Sequence, residues 1–425
     1  MIDPGGHVRS VPIDEQIHEM GRRARSAAPH VAGLDTGTRN GILDAMATAL
    51  IRSRDAIQAA NKLDCKSAKA AGLSAALIDR LLLDTSRIEA MAEGLRQVSA
   101  LPDSLGIDLA VIQRPNGLVI RKVRVPLGVV AVIYESRPNV TADAAAICFK
   151  AGNAVILRGG SEAVASNAAI HEAITAVAGL PANAIQMVPT TDRAAVRALL
   201  GLDTMIDLVI PRGGESLIRA VAEHSRIPVL KHYKGVCHVY VDRAADLDMA
   251  LAIAVDAKCR RPGVCNAMET LLVHEAVAEA FLPRLAEIMD AEGVELRGDE
   301  RTQALVPIAL PASESDWSEE YLDLILAVRV VGDVEAAMIH IEHYGTRHSD
   351  VIVTTDKETA RRFTTEVDSA AVYVNASSRF TDGAEFGLGA EIGISTDKLH
   401  ARGPCGVEAL TTYKYVIEGD GQVRG

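Results

Sequence analysis

The sequence predicts an α/β protein made of two parallel-sheet domains and a small β element. Three observations carry that prediction. From residue 129 onward, short apolar runs alternate with amphipathic helical stretches, the pattern of parallel strands covered on both faces. The alternation comes in two series, the second beginning near residue 235. A stretch of different character, Val111 to Val125, precedes the first series, and strand-like sequence returns from Gly403 to Gly425.

In chain order, residues from about 14 to 100 read as helices. Ile42, Met46, Ala49 and Leu50 form one apolar stripe, and Ile88, Met91, Ala92 and Leu95 another. Ser86 and Glu89 have the spacing of a capping box at the start of the second helix. Val111–Val125 alternates and contains Pro115-Asn116-Gly117, a turn between two strand-like arms. Val129–Tyr134 then reads as a buried strand, followed by a Pro-containing turn and an Ala-rich helix, Ala142–Ala151. Ala154–Leu157, Ile185–Val188 and Met205–Ile210 repeat the scheme. The second series places strands at His238–Val241, Thr270–Val273, Val328–Val331, Val351–Thr354 and Ala371–Val374, with helices from Asp246 and Glu275. The division that follows is a dinucleotide-type α/β unit (1–108 and 126–232), a second α/β unit (233–402) and a small β element (109–125 and 403–425).

The chain has 425 residues, enough for two or three domains with a large core. With 48% hydrophobic and 24% charged residues it has a globular rather than a disordered composition. A net charge of −12 and only 3% aromatics argue against nucleic acid, which needs basic grooves and stacking rings. No apolar run has the length of a membrane span, and the polar start Met1–Ser10 lacks a signal-peptide core, so a cytoplasmic protein is expected. The six cysteines, at 65, 148, 237, 259, 265 and 405, include no C-x-x-C pair. They are expected to be free thiols, because disulfide frameworks belong to small secreted chains.

Two glycine turns follow strands and precede helices: Arg158-Gly159-Gly160-Ser161 and Pro211-Arg212-Gly213-Gly214. Such turns present backbone N–H groups to phosphate oxygens, although neither is a dinucleotide fingerprint and, taken alone, each reads better as a plain tight turn. Arg158 is placed to hold a ribose 2′-phosphate, which points to NADP. Cys265 lies in Lys258-Cys259-Arg260-Arg261-Pro262-Gly263-Val264-Cys265-Asn266. The Pro-Gly pair should end one helix and leave the thiol in a turn at the start of another, where cations and N–H dipoles favour thiolate. Cys259 is a rival nucleophile, but its helical phase packs it, and Cys148 sits on an apolar helix face. His340, His343 and His348 raise the question of zinc. Lacking H-E-x-x-H order, they read instead as polar groups near a helix C-terminus, and no metal is expected.

The stretches VRVPLGVVAVIYESRPNVTADAAAICFKAGNAVILRGGSEA, RPGVCNAMETLLVH, HIEHYGTRHSDVI, FGLGAEIGISTDKLHARGP and TTYKYVIEGDG closely resemble the γ-glutamyl phosphate reductase branch of the aldehyde dehydrogenase superfamily. The resemblance runs from about residue 120 to the end. It implies an aldehyde dehydrogenase-like fold, in which the two α/β units and the small β element are the cofactor domain, the catalytic domain and the oligomerisation element. It also implies NADPH-dependent reduction of γ-glutamyl 5-phosphate to glutamate 5-semialdehyde and phosphate, through a cysteine thioester, in proline biosynthesis. Carried over by position, Cys265 is the nucleophile and Asn139 the oxyanion-hole asparagine. Arg158, Gly159, Gly160 and Ser161 match the adenosine-phosphate end of the cofactor site, Gly213 and Gly214 the pyrophosphate turn, and Glu320 the glutamate on the nicotinamide ribose. Arg137, Lys258 and Arg261 are the cations for substrate phosphate or carboxylate, with no assignment among them. The implied partners are a second copy of the chain and, by channelling, glutamate 5-kinase.

One departure from the wider superfamily is informative. Aldehyde oxidisers carry a glutamate that activates water, and the corresponding stretch here is Lys231-His232-Tyr233-Lys234-Gly235. An acyl-transfer enzyme gains by leaving water inactive. The competing readings are a hydrolytic NAD(P)-dependent aldehyde dehydrogenase and a non-catalytic protein that retains the fold.

Overall fold

The computed structural model describes residues 11–424, so the polar start Met1–Ser10 lies outside the described residues. The chain divides into two units. The first takes in residues up to Lys231 together with 388–393 and 405–425; the second comprises His232–Gly387 and Ile394–Pro404.

The first unit opens with five helices: α1 (Ile13–Ala32), α2 (Thr36–Arg52), α3 (Arg54–Ala70), α4 (Ala75–Leu81) and α5 (Thr85–Ala100). Helix α5 buries Ile88, Met91, Ala92 and Leu95, the stripe read from the sequence. Its cap is different from the one expected. Asp84, not Ser86, accepts the Arg87 N–H at 2.8 Å, because a carboxylate there also engages the Ser86 hydroxyl. Strands β1 (Asp108–Gln113) and β2 (Val119–Pro126) form the hairpin, turning through Gly117 at φ +87°. The C-terminal strand Thr411–Glu418 pairs antiparallel with β2, completing a three-stranded sheet.

The rest of this unit is a parallel sheet: β3 (Val129–Tyr134), α6 (Val140–Lys150), β4 (Ala154–Gly159), α7 (Val164–Thr175), β5 (Ile185–Met187), α8 (Arg193–Leu200), β6 (Leu208–Arg212) and α9 (Glu215–His224). The strand order is β5-β4-β3-β6. Every residue of β3 is buried, which explains why it reads as an unbroken apolar run. The direction of winding reverses between β3 and β6, and the turns after β4 and β6 lie at the carboxyl ends of their strands, where sheets of this type bind ligands.

The second unit contains β7 (Cys237–Val241), α10 (Leu247–Cys259), β8 (Met268–His274), α11 (Glu275–Ala291), β9 (Glu295–Gly298), α12 (Glu300–Leu305), β10 (Leu310–Pro311), β11 (Ile325–Val331), α13 (Val334–Tyr344), β12 (Ser349–Val353), α14 (Lys357–Glu366) and β13 (Ala371–Val374). The strands form one parallel sheet, β10-β9-β11-β8-β7-β12-β13. Val239, Leu271, Val328 and Val351 meet Ala254, Phe281 and Leu285 in one apolar cluster. Strands β9 and β10 were not expected. They are the short last two strands at one end of the sheet, with β10 at its edge, and their exposed or polar positions lack the apolar run that marks the central ones.

Candidate active site

Cys265 is half-buried in the turn that joins α10 to β8. The expected new helix is absent. Met268–His274 is buried at all seven positions and is drawn into the sheet as β8, so no helix N-terminus supports the thiol. The backbone around it is tightly held. Gly235 lies so close to Cys265 that a Cβ there would overlap the Cys265 carbonyl and come within 2.8 Å of its Cα. Gly235 donates its N–H to Glu320 Oε1 at 2.8 Å, and Val236 donates to Thr346 Oγ1 at 3.0 Å. The Cys237 thiol donates to the Cys265 carbonyl at 3.2 Å. Burial, and then Asp350, pushes this second thiol well above its ordinary range, which keeps it a donor. The next residue, Asn266, anchors the turn by donating to the carbonyls of Arg379 and Thr381, at 3.2 and 2.9 Å.

The groups facing the thiol are imidazoles. One ligand-type atom each from His232, Cys265 and His348 lies within 4.8 Å of the others, and the two rings meet edge to face at 5.4 Å. His232 Nδ1 donates to the Ile394 carbonyl at 2.9 Å, which fixes the orientation of the ring. His348 is fully buried, and burial, followed by the neighbouring His232, pulls it down to about 3. It is therefore a neutral ring at neutral pH. His348 thus groups with residues distant in sequence rather than with His340 and His343. His340, read from the sequence as a polar group near a helix C-terminus, lies in the last turns of α13 but does not act there as a cation. It is buried, accepts from Arg329 Nη1 at 2.9 Å, and is held down to about 2 by burial, with His238 and Arg329 adding to the effect.

Lys258 requires a correction. Expected to meet an anionic substrate, it is fully buried with its ammonium 2.6 Å from Glu269 Oε2, and Glu269 is equally buried. Residue 258 falls on the inner face of α10, and the carboxylate of β8 is its partner, so the side chain is structural. Arg261 and Arg137 are both exposed on loops. Cys259 packs against the core with its thiol 3.7 Å from Met289 Sδ, and Cys148 is fully buried.

In the first unit, Gly159 and Gly160 form a close turn. A Cβ at Gly159 would overlap the Asn167 amide, and one at Gly160 would overlap the Glu162 carboxylate. Ser161 begins a single 3-10 turn, Ser161–Ala163, so helix α7 starts later than the motif suggested. Glu162 accepts the Ser136 hydroxyl at 3.0 Å and also its backbone N–H, holding Ser136 at φ +52°. The Arg158 guanidinium is mostly buried and donates to the Thr191 carbonyl at 2.8 Å. A cavity of about 450 Å³ opens beside it, lined by Gly159, Gly160, Asn167, His171, Pro189 and Thr191. Its size and its bare glycine wall fit the nucleoside end of a dinucleotide. Gly214 caps α9 and gives its N–H to Glu135 at 3.2 Å, and a Cβ at Gly213 would overlap that carboxylate. Asn139 precedes α6, with its Nδ2 fixed by Asp143 Oδ2 at 2.8 Å. Burial raises Asp143 to about 6, against the opposing Asn139 hydrogen bond.

The family model described as "Aldehyde dehydrogenase family" matches residues 11–308. The chain belongs to the aldehyde dehydrogenase family. Among curated relatives, a γ-glutamyl phosphate reductase of Moorella thermoacetica is 58% identical over 412 residues, which are 96% of this chain and 99% of the relative. One from Geobacter metallireducens is 54% identical over 415 residues, 97% of this chain and 99% of the relative. The crystal structure of γ-glutamyl phosphate reductase from Thermotoga maritima matches with a TM-score of 0.94 at 44% identity, covering 96% of this chain and 100% of that one. These relatives bear out the resemblance to the reductase branch and identify an oxidoreductase with the aldehyde dehydrogenase fold.

Within each unit of this aldehyde dehydrogenase, the residues named from the sequence fall into local groups. Cys265 and Glu320 share the Gly235 contact, and Arg158, Gly159 and Gly160 share the cavity wall and its brace. Sequence reasoning missed His348 as a neighbour of the thiol, Glu162 and Glu135 as braces of the two glycine turns, and Asp143 as the anchor of Asn139. Of these, only Asp143, four residues after Asn139 at the start of a helix, had a local signal.

Proposed function

We propose that this aldehyde dehydrogenase-family protein is a γ-glutamyl phosphate reductase of proline biosynthesis, acting through a thioester on Cys265. The observation that carries this is a half-buried thiol within 4.8 Å of two imidazoles, in a group that contains no carboxylate. His232 accepts the thiol proton at Nε2, because its Nδ1–H is committed to Ile394. The Cys265 sulfur attacks the acyl carbon of the mixed carboxylic–phosphoric anhydride, and the oxyanion is received by the Cys265 backbone N–H and the Asn139 amide. Cleavage of the carbon–oxygen bond releases phosphate and leaves the thioester. Arg158–Ser161, Gly213 and Gly214, and Glu320 at the ribose would hold a nicotinamide cofactor, NADPH in this reading, whose chemistry would be delivery of a hydride to the acyl carbon. Collapse of the thiohemiacetal frees glutamate 5-semialdehyde and returns the Cys265 thiolate. Arg137 and Arg261 supply the positive charge that an anionic substrate needs in a chain of net charge −12.

The deciding experiment is the reverse reaction, NADPH formation from glutamate 5-semialdehyde and NADP, with and without inorganic phosphate. Turnover that requires phosphate supports the reductase; turnover indifferent to phosphate assigns hydrolysis of the acyl-enzyme instead. Asn139→Ala should lower kcat by about 10²–10³ with little change in KM, as loss of an oxyanion donor does. A KM effect alone would remove Asn139 from that role.

The same reading makes the protein a homo-oligomer joined through the three-stranded sheet. Ile112 and Ile417 both lie opposite Ile120, so one face carries a row of isoleucines. Ile112 and Ile417 are 45% and 59% exposed, as is expected of a face covered by another copy. Ile417→Asp should raise the subunit dissociation constant at least about tenfold, which sedimentation velocity over a dilution series would measure. An unchanged mass distribution would place the interface elsewhere. Among the described residues no helix is long and apolar enough to cross a membrane, and a cytoplasmic location accords with a biosynthetic role.

A further inference from the structure

We propose that Cys265, His232 and His348 also form a three-ligand site for a thiophilic divalent cation of the zinc class, which withdraws the nucleophile from reaction until it is removed. The site is independent of which acyl compound the enzyme reduces.

The donor atoms lie within 4.8 Å of one another. Zinc with nitrogen and sulfur ligands at their usual bond lengths sets neighbouring donors about 3.5 Å apart. The group must therefore contract by about 1 Å, within the reach of side-chain rotation at Cys265 and His232, both half-buried.

The second observation is His348. Its ring is fully buried, and its Nε2 has no hydrogen-bond partner among the described residues. Its Nδ1 is accounted for by Ser349 Oγ at 2.9 Å, which is itself 2.6 Å from Thr381 Oγ1. The buried His238 and His340 also carry an Nε2 without a partner, but those two rings meet each other edge to face, and of the three only His348 lies beside a thiol and a second donor imidazole. His232 shows the complementary arrangement, with Nδ1 tied to the Ile394 carbonyl at 2.9 Å. A ring nitrogen held by an oxygen-bearing neighbour is how proteins orient histidines as metal ligands.

One thiolate and two imidazoles form a donor set that suits zinc or cobalt rather than magnesium or calcium, since no carboxylate belongs to the group. Binding replaces the Cys265 S–H bond with a sulfur–metal bond and releases one proton to solvent, and no oxidant or reductant is involved. A water molecule completes the fourth position.

The test uses the full-length protein after chelator treatment, titrated with cobalt(II) and then with zinc(II). The expected result is a thiolate-to-cobalt charge-transfer band with intense tetrahedral visible bands, saturating at one metal per chain and displaced by zinc. Reductase activity should fall with the same stoichiometry and return on adding EDTA. Cys265→Ser should abolish the charge-transfer band. His348→Ala and His232→Ala should each weaken zinc binding at least about tenfold by calorimetry. His232 is half-buried, so its variant keeps the test open if loss of the buried His348 ring prevents folding, which near-ultraviolet circular dichroism would reveal. The absence of the charge-transfer band would overturn the proposal, as would zinc affinity unchanged in a folded histidine variant.

Discussion

Cys265→Ala should reduce phosphate-dependent turnover by at least about four orders of magnitude, the loss expected when a covalent nucleophile is removed. The variant should still fold. Its turn is held by the Asn266 amide and by the contact between Cys237 and the Cys265 carbonyl, and neither uses the Cys265 thiol. Cofactor binding, followed by quenching of NADPH fluorescence, should survive. Cys259→Ala is the matched control. That thiol packs against the core beside Met289, so its loss should change stability by about 1 kcal/mol and turnover by less than about threefold. If Cys265→Ala kept more than about a tenth of the activity, or if Cys259→Ala lost it, the nucleophile would be misassigned.

Lys258→Met should lower the stability of the second unit by about 3–5 kcal/mol, because it leaves the Glu269 carboxylate buried without its partner. The sign of its pH dependence follows from burial. Desolvation raises Glu269 above its unfolded value and lowers Lys258, each toward its neutral form. Taking away the ammonium removes the main influence holding Glu269 down. A carboxyl whose folded pKa is raised binds more protons in the native state than in the unfolded state. The variant should therefore lose stability as pH rises above the unfolded value of about 4.3, and its gap from the parent should open as pH passes the value of about 7 at which the paired Glu269 ionises. Urea denaturation at pH 5.5 and 8 would measure this. Lys258→Met combined with Glu269→Leu should recover most of the loss, since the pair is then replaced by apolar side chains. A double variant no more stable than the single one, or a defect that shrinks with pH, would contradict the pairing.

Much of the fold was legible because the central strands are buried on both faces, and burial writes itself as apolar runs such as Val129–Tyr134. The short strands at one end of the sheet, Glu295–Gly298 and Leu310–Pro311, left no such mark. At the site, Cys265 was legible from the Pro262-Gly263 break before it, but the helix expected after it was not there. Met268–His274 can satisfy either a buried helix or a buried strand, and only the neighbouring strands decide between them. Lys258 was misread because a run of cations shows charge density and not direction. The inward phase of one member appears only once Glu269 is seen across from it. His232 and His348 could not be linked from sequence, since they meet only when β12 is laid beside β7.

The contact between Gly235 and Cys265 also bears on which substitutions the enzyme's history can accept. At Gly41, exposed in the middle of α2, an added methyl group would meet nothing within 4 Å, and alanine there would stabilise the helix by about 0.5–1 kcal/mol. At Gly235 the same methyl group would occupy the space of the nucleophile's own backbone. The same glycine-to-alanine change therefore has opposite outcomes at the two positions. Position 41 is free to drift toward better helix formers, while position 235 is closed to drift by a volume smaller than a methyl group. Random mutagenesis under selection would record the difference as a tolerant site and a silent one.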